Sequence, residues 1–204
     1  WDRAEAALEN ALRANDLAWT VNAGDGAFYG PKIDFDVIDA LGRPWQCATI
    51  QVDYQMPLRF ELSYVGADNA PHTPVVVHRA IFGSFERFIG ILIEHFAGQF
   101  PMWLAPEQVR VMTVSEKSVD WGREVAETLR AAGIRVVFDD GDEKIGAKIR
   151  EAHGARPVYQ AVVGERDRDQ RTVSVKGRDS DLGALELPTF VARCVAEARP
   201  PFGG

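Results

Sequence analysis

Three consecutive stretches of this chain alternate apolar and polar side chains with period two, and that alternation constrains the fold more than anything else in it. In Lys32–Ile38 the apolar Ile33, Phe35 and Val37 alternate with Lys32, Asp34 and Asp36. Residues 44–54 and 58–65 repeat the pattern, with Glu61 and Ser63 at polar positions of the third run. Alternation of this kind predicts half-buried antiparallel strands. Gly42-Arg-Pro44 supplies a tight connection between the first two. A helix over residues 1–16 precedes them, with Ala4, Ala7, Leu8, Ala11 and Leu12 at helical spacing. A buried strand over 75–80 and a helix over 84–97, opened by Gly83, follow.

After the proline-punctuated stretch Phe100-Pro-Met-Trp-Leu-Ala-Pro106 the grammar changes. Strands over 109–115, 134–139, 158–164 and 172–176 are interleaved with helices over 118–132, 144–153 and 188–198, which predicts a mostly parallel sheet with right-handed crossovers. The expected fold class is therefore α+β, an antiparallel sheet, followed by an α/β domain with a mixed, mostly parallel sheet. The expected boundaries are 1–103 and 104–199, with 200–204 as a tail. The formal net charge is −7. The first 104 residues carry 7 basic and 13 acidic side chains, and the rest carry 16 and 17. An acidic balance argues against indiscriminate nucleic-acid binding and leaves room for a local basic patch. No apolar run approaches the ~20 residues of a membrane span, and no basic stretch followed by an apolar run opens these residues, so secretion is not expected. Two cysteines, Cys47 and Cys194, make no disulfide framework and suit a reducing cytoplasm.

The densest polar constellation is Tyr29, Lys32, Gln46, Cys47, Gln51, His78, Arg79, Glu86 and Arg87. Strict alternation puts Gln46 on one strand face and Gln51 on the other, unless a bulge intervenes. Two glutamines there suit either a small polar ligand or a solvated sheet face. His78 ends an apolar run and reads as a core histidine or a metal ligand; no partner at i+3 or i+4 completes a zinc spacing. Ser84 to Arg87 opens a helix, where an anion or a simple Glu/Arg solvent pair fits. Asp142 and Glu143 read as the cap of a short helix that holds Lys144, Lys148 and Arg150 near its exposed side. That helix is either an ordinary surface helix or a small site for RNA phosphates. Residues 165–171 read as a solvated loop, and Cys194 as core.

Several strings together resemble the C-terminal half of threonyl-tRNA synthetases, which are class II aminoacyl-tRNA synthetases. They are Tyr29-Gly-Pro-Lys-Ile-Asp-Phe35, Gly42-Arg-Pro-Trp-Gln-Cys47, Thr49-Ile-Gln51, Val77-His-Arg-Ala-Ile81 and Gly83-Ser-Phe-Glu-Arg-Phe-Ile-Gly-Ile-Leu92. Phe100 to Pro106 and Glu143-Lys-Ile-Gly146 continue the match. The resemblance implies an ATP- and Mg2+-dependent ligase that forms threonyl adenylate and moves threonine to tRNA(Thr). It implies a zinc ion that takes threonine's amino and hydroxyl groups, which valine cannot reproduce. His78 then stands for one zinc ligand, with a cysteine and a histidine expected upstream of Trp1. Tyr29 and Gln51 stand for the threonine pocket, and Cys47 and Ala80 line it. Gln46, Ser84 and Arg87 stand on the ATP side, and Lys32 and Arg87 serve catalysis. Asp142, Lys144, Asp167 and Lys176 fall in the anticodon-reading part. The family also implies a homodimer, no membrane contact and a cytoplasmic setting. Without the upstream residues the first part is expected to expose apolar surface and to be inactive by itself.

Overall fold

In the computed structural model, which describes residues 1–201, Lys32–Ile38 (β1) pairs antiparallel with Pro44–Asp53 (β2), and β2 with Val76–Ala80 (β5), giving the sheet order β1-β2-β5. The chain divides into two units, residues 1–95 and 96–204; Phe202, Gly203 and Gly204 of the expected tail lie outside the described residues. In the first unit the helix Asp2–Ala14 (α1) buries Ala4, Leu8 and Leu12 of the expected stripe, whereas Ala7 and Ala11 stay exposed. After β5, Phe85–His95 (α3) buries Ile91.

Residues 58–65 do not form the expected third long strand. Met56–Arg59 (α2) is a single helical turn with Pro57 near its start, followed by Glu61 in the left-handed region at φ 52°. The Asp53 carboxylate accepts the Gln55 and Met56 amides at 2.9 Å each, which caps that turn. Only Tyr64–Val65 (β3) remains extended, and it pairs with Pro71–His72 (β4) in a small hairpin. β5 is also not the buried strand its apolar run predicts: Val77 is 55% exposed. Among the described residues β5 pairs with β2 alone, so it is an edge strand. Apart from Val114 and Val137, the exposed large apolar side chains of the described residues all belong to this unit. Area of that kind marks a surface made to be covered.

The second unit holds its own core. Its five-stranded sheet has the order β10-β9-β8-β6-β7. Val109–Thr113 (β6) lies inside the sheet, parallel to the edge strand Val136–Asp139 (β7) on one side and to the middle strand Tyr159–Val163 (β8) on the other. Thr172–Gly177 (β9) and Asp181–Glu186 (β10) complete the sheet with antiparallel pairing. The sheet is thus mixed, as the alternation of strands and helices predicts, although β10 was not expected; Gly183 at φ 66° interrupts its pattern. Every residue of β6 is buried, as a central strand between helices requires. Val119–Ala131 (α4) and Leu187–Glu197 (α7) supply Trp121, Val125, Leu129, Phe190 and Cys194 to the core. Full burial of each such side chain contributes about 1.5–3 kcal/mol.

Three local expectations in this unit fail for physical reasons. Residues 165–171 are not a loop: Glu165–Gln170 (α6) is helical, because Asp167 turns back to accept the Gly164 amide at 3.0 Å. In Ile145–Ala155 (α5) the N-cap is Lys144, and neither Asp142 nor Glu143 caps it with a side-chain bond. Lys148 is not exposed either. It is 2% exposed, and its ammonium donates to the Thr113 and Asp139 carbonyls at 3.1 and 3.2 Å and lies 3.4 Å from the Asp139 carboxylate.

Candidate functional site

The register of the first sheet gathers the candidate residues. Lys32 lies opposite Gln51, and Gln51 opposite His78, so the three form one rung across β1, β2 and β5. Residues directly opposite in adjacent strands share a face. The next rung on that face is Asp34, Thr49 and Ala80. Between Phe35 and Asp36 the register shifts: Phe35 faces Ala48, whereas Asp36 faces Gln46. Cys47 is therefore the extra residue of a β-bulge. The bulge restores Gln46 to the face of Thr49 and Gln51. The alternative that alternation left open is decided in favour of one polar face carrying both glutamines.

Tyr29 closes over this rung. Its hydroxyl donates to the Gln51 side-chain carbonyl, and its ring centroid lies 5.0 Å from that of His78. The turn ahead of β1 fixes the approach, since a Cβ on Gly30 would stand 2.4 Å from the Val52 carbonyl oxygen. Only glycine lets the backbone run this close. Two residues later Lys32 donates to Asp34 at 2.6 Å and to Asp25 at 3.3 Å. The bond to Asp34 is the main reason its ammonium is raised above the ordinary lysine value. Burial pushes the Asp34 carboxyl up, but the Lys32 ammonium bonded to it outweighs that and leaves it lowered. The face thus holds a charged Lys32–Asp34 pair beside the Tyr29–Gln51 bond.

At the other end of the face, Gly83, at φ 66°, brings the chain against β2; a Cβ there would lie 3.3 Å from the Cys47 carbonyl. Ser84 follows, and its hydroxyl accepts the Arg87 amide at 3.3 Å while donating to Glu86 at 2.7 Å. The Arg87 guanidinium lies 5.8 Å from the Trp45 ring centroid, a cation–π contact. Gly83 thereby brings the start of α3 against the Gln46–Cys47 backbone, with Ser84 bonded to the Arg87 amide. Sequence reasoning missed the groups behind these: Asp39, which anchors Trp45, and Asp53, which holds His78. An aspartate at each end of β2's hairpin, just before a turn, was the available signal.

His78 has the chemistry of a single metal donor, a half-exposed imidazole backed by a buried carboxylate. No group of three or more His, Cys, Asp or Glu able to hold a metal ion exists among the described residues. The residues present therefore fit one donor of a site, not a full set.

In the second unit Asp142, Lys144 and Lys176 are exposed, whereas Asp167 is engaged with its own surroundings. Besides the Gly164 amide it accepts the Ser174 hydroxyl at 2.9 Å, bracing α6 against β9. The four candidate RNA-reading residues are thus three free side chains and one brace.

Comparison with known proteins identifies the two units. Residues 5–96 match the family model "tRNA synthetase class II core domain (G, H, P, S and T)", and residues 108–189 match "Anticodon binding domain". Over 194 residues the chain is 54% identical to a threonine–tRNA ligase of Clostridium tetani, covering 95% of this chain and 30% of the relative. Over 203 residues it is 54% identical to one from Anaeromyxobacter dehalogenans, covering 99% and 31%. The crystal structure of the RNA binding domain of threonyl-tRNA synthetase from Cryptosporidium parvum superposes with a TM-score of 0.87 at 38% identity, covering 99% of this chain and 52% of that one. The chain spans about three tenths of the length of the curated relatives it matches. A class II core segment joined to an anticodon-binding domain, at this identity over nearly the whole chain, makes the protein a member of the threonyl-tRNA synthetase family.

Proposed function

We propose that this chain supplies one wall of the active site, together with the anticodon-binding domain, of a threonine–tRNA ligase. The reading is carried by one observation: Lys32, Gln51 and His78 share a rung beneath Tyr29, and a bulge adds Gln46 to the same face. In the reaction, threonine's carboxylate attacks the α-phosphorus of ATP, giving threonyl adenylate and pyrophosphate; a hydroxyl of the terminal ribose of tRNA(Thr) then attacks the threonyl carbonyl, losing its proton as the acyl–phosphate bond breaks and AMP leaves. Tyr29 and Gln51, already hydrogen-bonded together, offer a polar end for the amino acid. Lys32 supplies a fixed positive charge for the reacting carboxylate and α-phosphate. Arg87, held by the Trp45 ring, supplies a second for the outer phosphates. Gln46 and Ser84 flank the nucleotide. A bound zinc ion would supply Lewis-acid recognition of threonine's amino and hydroxyl groups, with His78 as one donor. Mg2+ enters as the companion of ATP.

The second unit, with its own closed core, is the RNA-binding part. A reading as an RNA-binding module without catalysis draws on the same closed core. Filter binding of tRNA(Thr) to the chain tests the RNA part. Salt-sensitive binding that Lys144→Ala weakens several-fold is expected; equal retention of unrelated tRNAs, or none at all, overturns it. The chain alone is expected to charge tRNA no faster than background, since its described residues offer a single zinc donor. Charging above background overturns that assignment of the site.

A further inference from the structure

Asp53 is fully buried at the end of β2, and its two oxygens do different work. Oδ1 accepts the Gln55 and Met56 amides at 2.9 Å each. Oδ2 lies 3.0 Å from Nε2 of His78. The pair is a diagonal one, since Asp53 lies opposite Val76, two residues before His78 on β5. An ionised carboxylate only accepts hydrogen bonds. Nε2 must therefore carry the proton, and in the neutral ring Nδ1 is left with a free lone pair. Among the described residues Nδ1 has no hydrogen-bond partner, and the side chain is 44% exposed. The Tyr29 ring, tilted 42° at 5.0 Å, restricts how the imidazole turns.

We propose that Asp53 is a positioning residue that fixes His78 as the Nε2–H tautomer, so that the nitrogen His78 offers to a metal is Nδ1. The choice of nitrogen matters because the alternative has a cost. Coordination through Nε2 breaks the bond to Asp53 and leaves a fully buried carboxylate with two backbone amides and no third partner. Coordination through Nδ1 keeps the bond and lets Asp53 strengthen the donor. The proposal deepens the reading of His78 as a zinc donor and rests on it; the tautomer itself does not. Asp53 also explains why α2 interrupts the expected third strand: one carboxylate caps that turn and aims the histidine.

Ring-15N histidine labelling of the 204-residue chain gives the test, at a pH where the imidazoles are neutral. The protein has four histidines, and His78→Gln identifies the signal that belongs to His78. Expected are a directly detected, slowly exchanging proton on Nε2 and an unprotonated Nδ1. In Asp53→Ala that proton signal is lost to fast exchange while the other three histidines keep theirs. A proton on Nδ1, averaged shifts for both nitrogens in the unmodified chain, or an unchanged Nε2 proton in Asp53→Ala overturns the proposal. The backbone amide spectrum of Asp53→Ala is the folding control; should it collapse, the spectrum of the unmodified chain decides alone. A wrong tautomer leaves tRNA binding untouched, and failed tRNA binding leaves the tautomer untouched, so the two readings fail separately.

Discussion

Asp39 accepts the indole N–H of Trp45 at 2.8 Å, and through that bond a buried carboxylate in the β1–β2 turn orients the ring against which Arg87 lies. The same carboxylate accepts the Leu41 and Arg43 amides and the Arg43 side chain. Burial raises the Asp39 carboxyl, yet the bonds from Trp45, Arg43 and Leu41 outweigh it and hold the group well below the usual carboxylate range. Asp34 and Asp53 of the same unit are lowered in the same way, and Asp68 is lowered mainly by its bond from His72. A carboxyl lowered by folding stabilises above its unfolded value of about 4 and loses that contribution as pH falls below it. Thermal melts between neutral pH and pH ~3 should therefore show the first unit failing before the second. Asp39→Asn should melt several degrees lower at neutral pH and lose much of this acid dependence. Tryptophan fluorescence and urea unfolding check both; parallel melting of the two units counts against the argument.

Two lysines on either side of one helix start predict opposite outcomes. Lys148 is buried against Asp139 and two carbonyls, so Lys148→Ala strands those groups and costs about 3 kcal/mol. Lys144 is exposed, so Lys144→Ala should change stability by no more than about 0.5 kcal/mol while weakening RNA binding. Urea unfolding beside filter binding separates the two effects.

Tyr159 is 5% exposed, and its hydroxyl lies 2.7 Å and 2.9 Å from the two Glu197 oxygens and receives the Arg193 Nε at 3.0 Å. Burial first, and Glu197 second, push its pKa up to about 12. A group raised by folding stabilises below its unfolded value of about 10, and that stability is lost as pH rises through about 12. Spectrophotometric titration of the four tyrosines should show one ionising last, together with unfolding of the second unit. Tyr159→Phe should remove that late step and cost about 1–2 kcal/mol.

Gly30 and Gly146 make a matched pair. A Cβ on Gly30 meets the Val52 carbonyl at 2.4 Å, whereas one on Gly146 meets nothing within 4 Å. Gly30→Ala should cost about 2 kcal/mol and displace Lys32 from Asp34. Gly146→Ala, inside α5, should be neutral or stabilise by up to about 1 kcal/mol. Equilibrium unfolding of both variants gives the comparison.

Much of this architecture was legible in the residues because the period of the apolar pattern reports directly on which face is covered. β1 forms where the alternation places it, although Phe35 and Val37 stay exposed, and α1 buries Ala4, Leu8 and Leu12 of the five side chains its spacing names. The misreadings share one cause: a single side chain or backbone contact overrode a true pattern. Leu58, Phe60, Leu62 and Tyr64 do alternate, but Asp53 and Pro57 start a helical turn first. Lys148 falls on a helix position that pattern alone reads as exposed, yet two carbonyl oxygens and Asp139 give a buried ammonium its partners. The candidate residues could be listed from the sequence; their sharing of one face could not, because it depends on where a register slips. Asp39 and Asp53 went unnoticed since an aspartate before a turn has many uses, and only the fold shows which one applies.

The bulge at Cys47 has a bearing on how damage to this protein would present itself. Were the pairing of β1 and β2 regular throughout, the ladder would be as complete and the sheet at least as sound. The stretch from Cys47 back to Pro44 would then be turned over, carrying Gln46 and Trp45 to the wrong sides. Such a protein would lose the bond from Trp45 to Asp39 and the shared polar face together. Here the slip in register carries the information, and a perfected strand would erase it.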